Sequence, residues 1–120
     1  MRKLVQLDKD GYCMEIDPVR LDRVAQAFKA WLLTVNSQDD PFGFLKQDLP
    51  LVDAALQGVL PLPFKGMEPH QRELGEGWLP SAYTEISAPF YNTILGANRS
   101  IETVQKDGNR YAWADFEDPM

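Results

Sequence analysis

The chain holds one histidine, His70, and one cysteine, Cys13, the two side-chain types most often recruited for nucleophilic, acid–base or metal chemistry near neutral pH. A cysteine nucleophile needs a base near enough to make thiolate, and nothing in the sequence brings Cys13 to His70. Cys13 reads as a half-exposed strand residue, and His70 as a surface residue following Pro69 among charged neighbours. A lone cysteine also excludes an internal disulfide and a multi-cysteine zinc site. Asp39 and Asp40 are adjacent and lack the alternating spacing of a calcium loop, so they read as a solvated turn. Gly75-Glu76-Gly77 has neither the glycine spacing nor the preceding apolar strand of a dinucleotide fingerprint. No zinc-protease, nucleophile-elbow or phosphate-loop motif occurs. An enzyme would have to work with carboxylates, Tyr or Lys, as glycosidases do with paired acids. Eighteen acids bring some pair together whatever the function, so the reading is non-enzymatic, with no cofactor and no metal.

Length and composition narrow the classes further. A chain of 120 residues, 44% hydrophobic and 25% charged, suits one compact domain over residues 1–120. No apolar run approaches the ~20 residues of a bilayer span, and the start of the chain turns acidic before a secretory core forms. The expected setting is the cytoplasm, with no membrane partner. Net charge is −6, and it is uneven: residues 1–60 hold seven Lys/Arg against nine Asp/Glu, residues 61–120 five against nine. Basic residues are scattered without a cluster, which argues against nucleic-acid binding. The acidity favours a basic partner, or serves only solubility.

The elements that would position a site are one long helix and two hairpins. Asp17 and Pro18 open a helix over 17–35 whose Leu21, Val24, Phe28, Trp31/Leu32 and Val35 recur at helical spacing. Leu33 falls on the polar stripe Asp22/Gln26/Lys29, and Phe42, Phe44 and Leu45 are the candidates to cover it. Strands Lys3–Leu7 and Tyr12–Ile16 around Asp8–Gly11 would put Val5, Leu7, Met14 and Ile16 on a core face. Asp48 is placed to cap a shorter helix ending at Gly58, and a proline-rich crossing over 59–69 is held by Leu60, Leu62 and Phe64. Tyr83–Ile86 reads as a possible strand, and residues 88–95 as a short helix. The fold class is α+β: a small antiparallel sheet built from N- and C-terminal β-hairpins, packed against the helix over 17–35, plus one or two short helices.

The second hairpin, Arg99–Gln105 and Arg110–Phe116 around an Asp107-Gly108 turn, sorts its residues unequally. Ile101, Thr103, Ala112, Ala114 and Phe116 form a mostly small face on which a helix could sit closely. Glu102, Val104, Tyr111, Trp113 and Asp115 form a face of aromatics and acids, beside the tail Glu117-Asp118. Trp and Tyr with flanking carboxylates are the usual make-up of a binding hot spot for a basic surface. The alternative places Trp113 in the core and Glu102 at its edge.

With its acidic second half and the set Glu102, Tyr111, Trp113, Asp115, Glu117 and Asp118, the chain resembles the bacterial immunity proteins that neutralise cationic toxin domains, including those of contact-dependent inhibition systems. The resemblance is one of profile and implies that these six residues cover the active or substrate-binding surface of a basic toxin, a nuclease among them. A structural or adaptor module of phage or accessory type, associating through a sheet edge, is the competing reading, and a carboxylate enzyme the third.

Overall fold

The structure, a computed structural model, describes residues 1–35, 45–65 and 81–117. Their elements run β1 (Arg2–Gln6), α1 (Pro18–Thr34), a 3-10 turn (Leu45–Asp48), α2 (Leu49–Leu56), α3 (Ser81–Leu95), β2 (Thr103–Lys106) and β3 (Asn109–Asp115). The three strands form one antiparallel sheet in the order β1-β3-β2, giving a small α+β fold.

Helix α1 starts where a side chain can satisfy its free amides. Asp17 is extended, and its Oδ1 accepts from the N–H of Val19 (3.0 Å) and of Arg20 (3.2 Å). Leu21, Val24, Ala25, Phe28 and Leu32 are buried along it. They meet α2 and α3, not the sheet, which corrects the expectation that this helix lies on the strands. The reason is bulk: α3 presents Tyr83, Phe90, Tyr91 and Ile94, and Phe28 sits 5.6–6.2 Å from three of those rings. The sheet offers only Val5, Leu7, Cys13, Ala112 and Ala114, which close a separate, smaller cluster with Phe116. Leu33 is exposed, and Phe42 and Phe44 lie outside the described residues.

Residues 81–95 form one helix, so the possible strand at Tyr83–Ile86 is corrected. Tyr83, Ser87, Phe90, Tyr91 and Ile94 are buried at three- and four-residue spacing, and that burial outweighs the strand preference of the aromatic and β-branched side chains. Pro89 is carried inside the helix. The segment before it packs Leu60 and Phe64 on the same core, with Phe64 N–H donating to Ile94 O (2.7 Å), while Leu62 stays exposed.

The N-terminal hairpin is reduced to a single bridge, Leu7 with Cys13, so its second arm is not a strand. The loop holds five residues, with Asp8 N–H donating to Tyr12 O (2.8 Å), one more than the four-residue turn predicted. A one-residue change of register exchanges faces. Cys13 therefore goes inward at 3% exposure, and Met14, expected in the core, is exposed. Cys13 N–H then donates to Gly96 O (2.8 Å), and the positive φ of Gly96 lets the two backbones meet. This contact and the Asp17 cap are where the helical and sheet halves join.

Candidate functional site

Asp107 and Gly108 both have positive φ, 54° and 81°, which twists the β2–β3 turn as a tight hairpin needs. Pairing from the turn sets Gln105 opposite Arg110, Val104 opposite Tyr111 and Thr103 opposite Ala112. It stops there. Ser100 takes both backbone groups of Trp113, its N–H donating to Trp113 O (2.7 Å) and its Oγ accepting from Trp113 N–H (3.2 Å). Residues 101 and 102 are left outside the ladder, so Ile101, expected on the inner face, is 96% exposed.

On β3, size and burial run opposite to the ordinary rule. Ala112 and Ala114 are 0% and 5% exposed, while Trp113 between them is 41% exposed. The outer face aligns Leu4 with Trp113, Gln6 and Val104 with Tyr111, and Arg2 with Asp115. Leu4, Val104 and Trp113 are all exposed, and Tyr111 is partly so. The Arg2 guanidinium carbon lies 5.3 Å from the centre of the Trp113 ring, a stabilising cation–π arrangement that also holds the indole in place.

The acids of the expected site have separate fates. Asp115 and Glu102 are exposed, Glu102 in the bulge beyond the ladder and Asp115 across from Arg2. Glu117 is engaged within the chain. Its carboxylate accepts from Arg23 Nε (3.1 Å to each oxygen) and Nη2 (2.5 Å) and lies 3.5 Å from Arg20 Nε, while its N–H donates to Asp17 Oδ2 (2.6 Å). The Arg23 hydrogen bonds hold its carboxyl below the usual range. Asp118 lies outside the described residues. The outer face is thus apolar and aromatic with charges of both signs at its rim, less acidic than its sequence implied.

Two chemical groups sit elsewhere. Burial pushes the Cys13 thiol up, against the opposing pull of Arg99, so Cys13 is a core residue with little thiolate. Asp48 is fully buried and makes no capping bond to α2, which corrects its expected role. Its Oδ2 accepts from the Tyr83 hydroxyl (2.7 Å) and its Oδ1 from the Tyr91 hydroxyl. This carboxylate ties the 3-10 turn to α3, and it was not legible beforehand because the two tyrosines were assigned to different elements. Among the described residues no group of histidine, cysteine and acids is arranged to hold a metal ion, and no helix is long and apolar enough to cross a membrane. Comparison with models of protein families, with curated proteins and with solved structures finds no match.

Proposed function

We propose that the protein is a non-enzymatic binding protein that docks a basic protein partner through the outer face of β3, as an immunity protein does with a cationic, nuclease-like toxin domain. The observation that carries this reading is the inverted burial of β3, with Trp113 partly open to solvent between two sealed alanines. Aromatic anchors of this kind supply contact area at small entropic cost, and Leu4, Val104 and Tyr111 extend the apolar surface on either side. Asp115 and Glu102 at the rim and the chain's net charge of −6 provide the complementarity that selects a basic partner.

The test is co-expression with the product of the reading frame immediately upstream in the source genome, followed by titration of the purified pair. The reading requires a complex whose affinity falls steeply with salt and drops with Trp113→Ala. A complex indifferent to both changes would overturn it.

One observation favours a second reading, a self-associating adaptor. Strand β2 is an edge of the sheet, and all four of its residues are exposed. Such an edge can pair with another chain. A homodimer that persists at high salt and is lost on Gln105→Pro, whose N–H points away from β3, would select this reading over the first.

A further inference from the structure

Beside Trp113 the sheet, the start of α1 and the loop at 97–100 enclose a groove of about 600 Å³. Three arginines are among its lining residues: Arg2 from β1, Arg20 from the first turn of α1, and Arg99 from the loop. We propose that this groove is a binding site for a small phosphate-type dianion, either free or as a monoester; it shares Arg2, Trp113 and Asp115 with the outer face but does not require that face to dock a partner.

Charge is the first argument. One carboxylate, Asp115, lines the groove with the three arginines, so its walls carry a formal charge of +2 in a chain whose net charge is −6. Like charges around one groove disfavour one another, and an anion bound among them relieves that repulsion. Arginine suits phosphate because its planar fork donates two parallel hydrogen bonds.

Preorganisation is the second. Arg99 is fixed by backbone, its Nε donating to Gly11 O (2.9 Å) and its Nη1 to Ser100 O (2.7 Å). Arg2 rests on the Trp113 ring, with no carboxylate within ion-pair distance among the described residues. Arg20 is held near Glu117 through Nε alone, at 3.5 Å. Each guanidinium is therefore placed by contacts that leave some of its N–H groups uncommitted, so little side-chain freedom is lost when an anion arrives.

The test is a titration of the full chain with inorganic phosphate and, separately, with glucose 6-phosphate, followed by calorimetry and by the indole N–H resonance of Trp113. Saturable binding of either anion supports the proposal, and the tighter of the two identifies free phosphate or a monoester as the source. Arg2→Glu should weaken binding at least about tenfold, while Lys46→Glu, the same charge change on an exposed residue of the 3-10 turn, should leave it unchanged. Arg20→Gln, with the fold checked by its unaltered spectrum, provides a second loss. Failure of both anions to saturate at millimolar concentration, or equal weakening by Lys46→Glu, overturns it.

Discussion

The helical half and the sheet half solve the burial problem in opposite ways. In the helices large side chains go inward: Phe28, Tyr83, Phe90 and Leu32 are wholly sealed, and the fully buried carboxylate of Asp48 is bonded to tyrosine hydroxyls. In the sheet only side chains up to the size of Leu7 are buried, with alanines on β3, and Leu4, Val104 and Trp113 stay outside. A small core of Val5, Leu7, Cys13 and two alanines contributes less from apolar burial than one built of aromatic rings, roughly in proportion to area at ~25 cal/mol per Å². The helical half is thus the main source of stability, and the sheet leans on it at Gly96 and Asp17 while turning bulky side chains outward.

The contrast is broken most strongly by Phe28→Ala. Its cavity should cost about 4 kcal/mol, read as a shift in urea midpoint, and a near-neutral result would remove the helical half as the stability source. Gly96→Ala attacks the junction. A Cβ there would lie 2.5 Å from Cys13 O and 2.9 Å from Cys13 N, at a φ of +79° that side chains disfavour, so a loss of about 3 kcal/mol is expected from thermal unfolding. Recovery of full stability would show that the two halves do not meet there.

Glu117→Gln tests the polar side of the same junction. The exposed geometry limits the effect to about 1 kcal/mol at neutral pH. Because hydrogen bonds from Arg23 lower the carboxyl of Glu117 below its usual 4.5, its stabilisation is complete above pH 4.5 and is lost as pH falls through the lowered value. The gap between wild type and variant should accordingly close in acid, as compared by denaturant titration at neutral pH and at pH 3. Trp113→Ala should cost no more than about 1 kcal/mol of stability, the cation–π contact with Arg2 included, while on the proposed reading it removes about 2 kcal/mol of partner affinity. Unfolding of that variant would place Trp113 with the structural residues and end the comparison.

Much of this was written locally. The Asp17 cap and the Asp107-Gly108 turn depend on residues adjacent in the chain, and so did the alternation that turns Trp113 away from Ala112 and Ala114. The site's exposure was not legible, since an aromatic strand residue is more often core, and Glu117 offered no sign that Arg23 would engage it from 94 positions away. The inner face of the N-terminal loop failed for a narrower reason: one extra residue in its turn exchanged Cys13 and Met14.

The sequence by itself determined the Asp17 cap, the Asp107-Gly108 turn and the alternation along β3, because those preferences act over four residues or fewer. Tertiary structure alone decided which faces meet. Arg2, Arg20 and Arg99 are scattered along the chain and line one groove only because α1 starts against the end of the sheet. Helix α1 found its partner in α3 and not in the strands because apolar packing is non-directional and goes to the surface with the most area to cover, a property of the assembled molecule that no single segment contains.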